Sequence, residues 1–191
     1  LWAESETLSQ SDRKNIKNLQ GQLERLTALV RTLLDMSEME TVPRTEQVEL
    51  TPLAEEILQD LDPIAQTRQI TMDVSGTVPP VTGSDVLLYR MLYNLVENAI
   101  KYGRPGGTVS VTLLERHGTT EIRVADNGAG IPPNMQAQIF EPFFRVDQSR
   151  SRASGGVGLG LALARQIAQL HGGSLTIEKS DETGTVFLCR L

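Results

Sequence analysis

The chain has 191 residues, 39% of them hydrophobic and 22% charged, enough for one globular domain with an added element or for two small domains. A formal net charge of −6 speaks against a general nucleic-acid binder, which carries a basic excess. A single cysteine, Cys189, excludes an internal disulfide and fits a reducing compartment, and no window approaches the roughly 18 apolar residues of a spanning helix.

Taken in chain order, the first element is a helix from Ser11 to about Met39. Its apolar residues Ile16, Leu19, Leu23, Leu26, Val30 and Leu33 are spaced 3, 4, 3, 4 and 3 apart, a heptad seam. Leu29, Leu34 and Met36 widen that stripe, which favours a helical bundle between two copies over a single helix docked on its own domain. LWAESETLSQ before it reads as the tail of a preceding helix. METVPRTEQ, polar and interrupted by Pro43, reads as a domain linker. The expected division is a helical hairpin remnant over residues 1–45 and a second domain over 46–191.

After the linker the pattern is mixed. VELT reads as a short strand and Thr51-Pro52 as the start of a helix with core face Leu53, Ile57, Leu61 and Ile64. ITMDV reads as a strand, PPVTG as a turn and DVLLYRMLYNLVENAIKY as a long helix. TVSVTLLERHGTTEIRVADNG reads as a hairpin turning at His117–Thr119, and PPNMQAQIF as a short helix. The polar, glycine-ended run FRVDQSRSRASGG reads as a long loop, VGLGLALARQIAQLHGG as a helix, and SLTIEKS with GTVFLCRL as a second hairpin carrying a buried Cys189. The expectation is an α+β fold: a two-layer sandwich of a mixed, mostly antiparallel sheet and three helices, preceded by the hairpin remnant.

Three stretches carry chemistry. In NLVENAIKY, Asn94, Asn98 and Tyr102 fall four apart on one helix face with Lys101 beside them. Carboxamide oxygens suit Mg²⁺ without adding negative charge beside a triphosphate, and Lys101 supplies positive charge to phosphate oxygens. In ADNGAGIPP, Asp126 ends a strand and can accept from an exocyclic amine, while Gly128 and Gly130 let backbone approach a flat base. In SGGVGLGLALA, Gly156, Gly158 and Gly160 precede and open a helix, whose N-terminal NH groups form an anion site. The loop before it holds Arg145, Arg150 and Arg152. A Walker A lysine is missing.

In the order NxxxNxxKY, DNGAGI, FEPFFR and GGVGLGLAL, the chain from about Val48 to Leu191 resembles the catalytic ATP-binding domain of sensor histidine kinases, relatives of the gyrase, Hsp90 and MutL ATPases. Residues 1–45 resemble the kinases' dimerisation hairpin. The resemblance implies that Asn98, assisted by Asn94, binds Mg²⁺, that Lys101 and Tyr102 contact phosphate and sugar, and that Asp126 reads the adenine amine. It implies that Gly128, Gly130 and Ile131 shape the base pocket and that Phe140, Phe143, Phe144 and Arg145 hinge a lid over ATP. It places Gly156, Gly158, Leu159 and Gly160 at the phosphates and Thr185 near the adenine.

The implied partners are ATP or ADP, a response regulator and a second copy in the full-length protein, with no nucleic acid. The implied location is cytoplasmic, with the full-length protein anchored in the membrane. Two departures qualify the likeness. Asn94 stands where the ATPase branches carry a glutamate general base, which favours transfer to a protein over hydrolysis. The only histidines are His117, in a predicted turn, and His171, at a helix C-terminus where its charge would suit the dipole; neither matches the phosphoacceptor, whose segment is expected upstream of this chain. Without that acceptor, the alternatives are a nucleotide-sensing dimerisation module and an anti-sigma-type serine kinase.

Overall fold

A computed structural model describes residues 12, 15, 16, 19–23, 27, 30, 34, 37–146 and 158–191. The chain separates into two compact units, Leu1–Ser37 and Glu38–Leu191. In the first unit the described residues are helical, and Ile16, Leu19, Leu23, Val30 and Leu34 are exposed. Leu26, Leu29, Leu33 and Met36 of the proposed seam lie outside the described residues.

The second unit runs β1 (Glu46–Val48), α1 (Leu50–Thr67), β2 (Thr71–Ser75), β3 (Val81–Gly83), α2 (Asp85–Tyr102), β4 (Thr108–Arg116), β5 (Thr119–Asp126), α3 (Gly160–Leu170), β6 (Ser174–Asp181) and β7 (Gly184–Arg190). Five strands form one sheet in the order β2-β4-β5-β7-β6, parallel only between β2 and β4. β1 and β3 form a separate antiparallel pair.

Strand alternation sets the layers. Along β4, Val109, Val111 and Leu113 are buried while Ser110, Thr112 and Leu114 are only half-buried, the period of two of a sheet covered on one face. On that face the helices bury their own stripes: Leu53, Ile57 and Leu61 of α1, Leu88, Met91, Leu92 and Leu95 of α2, and Ala164 and Ile167 of α3. Each fully buried leucine, isoleucine or phenylalanine stabilises the fold by about 1.5–3 kcal/mol, so this stripe carries most of the folding free energy. Cys189 lies here as expected, its Sγ 3.7 Å from Met91 Sδ, and burial pushes the thiol up to about 12.

Several local expectations shift. α1 begins at Leu50 rather than after Thr51, and Glu49 at its N-cap makes no side-chain cap. Pro52 falls in the first turn, where its missing N–H has no intrahelical partner to lose. PPVTG is more than a turn, because Val81–Gly83 pairs with Glu46–Val48, a partner far away in sequence. PPNMQAQIF forms two short 3₁₀ turns, Pro133–Met135 and Gln138–Phe140. The hairpin turn is tight: His117 (φ 52°) and Gly118 (φ 77°) both adopt the left-handed conformation of a two-residue turn.

METVPRTEQ is fastened within the second unit. Met39 is 2% exposed, and Arg44 Nη1 donates to the carbonyls of Met39, Glu40 and Val42. Glu46 then accepts the backbone N–H of Asp85 at 2.9 Å, placing a carboxylate on the positive end of α2. His171 corrects another expectation. Its Nε2 accepts the N–H of Ser84 at 3.1 Å while Nδ1 faces Ile167 O at 2.8 Å, so the ring acts through a lone pair at the start of α2, not as a cation at the end of α3.

Candidate functional site

α2 supplies the polar line. Its apolar positions face the sheet, which leaves Asn94, Asn98, Lys101 and Tyr102 on the free side near its C-terminal half. Asn94 Nδ2 donates to Arg90 O at 2.6 Å, so its carbonyl oxygen is turned away from its own helix. That oxygen meets the start of α3, where a Cβ on Gly160 would lie 2.8 Å from it. Among the described residues the Asn98 carboxamide makes no hydrogen bond. Lys101 is held below the usual lysine range, first by burial and then by the Arg145 guanidinium, with Glu97 opposing. The positive charge of Arg145 is thus felt at Lys101, and a field of that sign favours an anion nearby.

The second cluster is built by β5 and the turns around it. Asp126 closes β5, and its Oδ1 accepts the N–H of Gly128 at 2.7 Å. Burial raises its carboxyl above the usual range, opposed by the N–H groups of Gly128 and Thr185. Gly128 packs so closely on the C-terminus of α2 that a Cβ would stand 2.4 Å from Tyr102 O. Gly130, at φ 73°, would put a Cβ 2.1 Å from Asp181 O. Ile131 N–H donates to Ser180 Oγ at 2.8 Å, and Thr185, 3% exposed, lies beside Ser180. Asp126, Gly128, Gly130, Ile131 and Thr185 are therefore gathered, with Tyr102 at the join between them and Lys101.

The phenylalanine run borders the start of α3. Phe140 packs edge-on against Phe187 with Arg165 over its face. Phe143 adopts φ 70°, uncommon for a bulky residue, and its N–H donates to Gly158 O at 2.8 Å. Gly158 in turn would crowd Phe144 O and the Arg145 side chain if it carried a Cβ. Leu159 is buried and its carbonyl starts α3 by accepting the N–H of Leu163. Gly156, the lid expected over Asp147–Ser154, Arg150 and Arg152 lie outside the described residues.

Residues that sequence reasoning passed over complete the frame. Arg68 caps the end of α2, donating to Lys101 O at 2.6 Å and Gly103 O at 2.9 Å. Gly184 and Ser180 hold the floor under Asp126 and Thr185. Only Gly184 carried a local signal, in the turn sequence DETG. Among the described residues no group of three or more His, Cys, Asp or Glu is placed to hold a metal, so any metal here would rely on carboxamides and ligand oxygens.

A sheet covered on one face by three helices, with carboxamides and a lysine near one end of the middle helix and a semi-buried carboxylate among glycines just beyond it, is an α+β sandwich of the kind that binds a nucleotide. The chain belongs to the histidine kinase-, DNA gyrase B- and HSP90-like ATPase family, whose model matches residues 83–191. It is 37% identical over 183 residues to the sensor histidine kinase RppB of Synechocystis sp., covering 92% of this chain and 40% of RppB. It is 35% identical over 179 residues to the sensor-like histidine kinase SenX3 of Mycolicibacterium smegmatis, covering 92% of this chain and 47% of that protein. The chain thus spans less than half the length of these curated relatives. Among solved structures, the mycobacterial sensor histidine kinase MprB matches with a TM-score of 0.67 and 31% identity over 77% of this chain and 96% of that one. ShkA in complex with AMPPNP matches with a TM-score of 0.72 and 25% identity, over 96% of this chain and 39% of that one. Among the described residues no helix is long and apolar enough to cross a membrane.

Proposed function

We propose that this chain is the ATP-binding catalytic part of a sensor histidine kinase, which transfers the γ-phosphoryl of ATP to a histidine and then to an aspartate of a response regulator. The observation that carries the reading is that two polar clusters meet at the end of α2: Asp126, whose Oδ1 holds the Gly128 N–H where Gly128 packs on Tyr102 O, and Asn94, Asn98 and Lys101 on the free side of the helix just before it. An amine-bearing base and a polyphosphate answer that pair of demands. Similarity to named histidine kinases, one of them solved with AMPPNP, supports the same reading over a serine kinase or a non-transferring sensor.

Mg²⁺ fits the donor set. Asn98 offers a carboxamide with no other partner among the described residues, and Asn94, one turn before it, has its oxygen facing the start of α3. Both are hard, neutral ligands for an ion that also binds phosphate oxygens, whose charge it would neutralise. Asn94 cannot take a proton from water, so this chain's own residues bind, orient and screen charge, the dominant effects in phosphoryl transfer. Neither histidine is placed to receive the phosphoryl: His117 forms a hairpin turn and both ring nitrogens of His171 are engaged. The acceptor would come from the helical hairpin of the full-length homodimer, which the exposed apolar residues of the N-terminal helix fit, in a membrane-anchored protein with its catalytic part in the cytoplasm.

Calorimetry with ADP, with and without Mg²⁺, tests the metal site. Wild-type protein is expected to bind Mg-ADP about tenfold more tightly than ADP alone, and Asn98→Ala to lose that difference while binding free ADP normally. An Asn98→Ala variant that keeps the full Mg²⁺ effect would remove Asn98 from the metal.

A further inference from the structure

The helix-facing positions at the end of the sheet form a polar row. Asp126 of β5 is directly opposite Thr185 of β7, and Thr185 is directly opposite Ser180 of β6. The neighbouring positions Val124, Phe187 and Val109 are apolar and buried. Directly opposed residues on one face of antiparallel strands lie close enough to bond, and the Ser180 and Thr185 hydroxyls do, at 3.0 Å.

The direction of that bond follows from a donor count. Ser180 Oγ already accepts the N–H of Ile131 at 2.8 Å. A serine hydroxyl has one hydrogen, and Thr185 Oγ1 is the acceptor that the structure offers it. Were Thr185 to donate instead, the Ser180 hydrogen would have no acceptor among the described residues. The arrangement that wastes no donor runs Ile131 N–H to Ser180, then Ser180 O–H to Thr185. The hydrogen of Thr185 is then left to point away from Ser180, beside Asp126.

From this we infer that Ser180 is a positioning residue for base specificity, holding the Thr185 hydroxyl as a donor next to the Asp126 acceptor. The inference rests on the nucleotide reading above and extends it. An acceptor beside a donor matches adenine, whose exocyclic amine donates and whose adjacent ring nitrogen accepts. Hypoxanthine presents the opposite pair, a carbonyl and a ring N–H, and both would face like groups. Ser180 touches neither; it sets the polarity of the group that does, and through Ile131 it also fixes the loop that carries Gly128 and Gly130.

The test is equilibrium binding of ADP and IDP to wild-type chain, Ser180→Ala and Ser180→Thr. Freed from Ser180, Thr185 can turn its lone pair toward the ligand and accept from the ring N–H of hypoxanthine. Ser180→Ala is therefore expected to weaken ADP about tenfold and leave IDP unchanged or tighter, whereas Ser180→Thr restores the wild-type preference. A parallel loss for both nucleotides in Ser180→Ala, or an unchanged ratio, would reduce Ser180 to a structural residue and overturn the inference. Failure of wild-type protein to bind either nucleotide would overturn the nucleotide reading itself, and this inference with it.

Discussion

Asp126→Asn is expected to weaken ADP binding by roughly 100-fold while leaving the empty protein at least as resistant to heat as wild type. The two halves have one cause. The carboxylate accepts the N–H of Gly128, is further favoured as an anion by the N–H of Thr185, and still has lone pairs for a base amine. An asparagine has only one oxygen. If that oxygen serves the two backbone donors, its NH₂ faces the amine of the base, donor against donor. In the empty protein, however, the ionised carboxyl is a cost, since burial holds it above its usual range. A carboxyl raised on folding favours the folded state most below its unfolded value and loses that contribution as pH rises through the raised folded value. Acidification through that window should therefore relieve the empty protein at this residue and weaken ADP binding, because a protonated carboxyl turns an acceptor into a donor. Thermal melts and calorimetry across the window check both. A variant that binds ADP like wild type, or a pH profile with the opposite sign, would remove Asp126 from base recognition.

Gly184→Ala is expected to cost about 3 kcal/mol or more in urea unfolding, the largest stability effect of any single methyl added to this chain. Gly184 has φ 137°, and an added Cβ would stand 1.9 Å from Asp126 O and 2.8 Å from Asn127 Cα. Those atoms are backbone in the neighbouring strand, so no side chain can swing aside. Relief requires the β5–β7 ladder to part where Asp126 and Thr185 are paired. Gly106→Ala is the comparison: its φ of 72° lies in the left-handed region that an L residue reaches at modest cost, and open space surrounds it, so it should cost about 1–2 kcal/mol and leave nucleotide affinity alone. Equal losses in the two variants would show that the close approach to Asp126 adds nothing to the cost.

What the sequence made legible were features whose cause is local. The hairpin of β4 and β5 and the long helix α2 each depend on neighbours within a few positions, and each is found, although the turn read over His117–Thr119 narrows to His117 and Gly118, with Thr119 already in β5. The α+β sandwich follows from such elements in order. The misreadings share the opposite property. Val81–Gly83 is a strand because Glu46–Val48 lies beside it, and His171 turns a lone pair to Ser84 because α3 ends near the start of α2. The polar connection from Met39 to Gln47 read as a linker because two of its partners, the Asp85 N–H and the strand Val81–Gly83, lie far along the chain. Candidate site residues were found where they form dense motifs on one helix face or in one glycine turn. Arg68 and Ser180 escaped because each is a lone residue acting on a motif more than 30 positions away.

The Cys189–Met91 contact turns the chain into its own recorder of sheet opening. Cys189 is the only thiol, it belongs to a strand paired on both sides, and almost none of it is thiolate at neutral pH. A maleimide or disulfide reagent can capture it only after β7 has come away from α2, so label accumulates at the pace of those excursions and not of surface chemistry. With reagent in excess, the capture rate should slow when ADP is added, by the same factor as binding stabilises the fold, and should be faster in Gly184→Ala. Instant labelling of the native protein would show that the thiol is reached without unfolding. One sulfur atom, with no added probe, thus puts a timescale on the structure that the nucleotide is proposed to hold together.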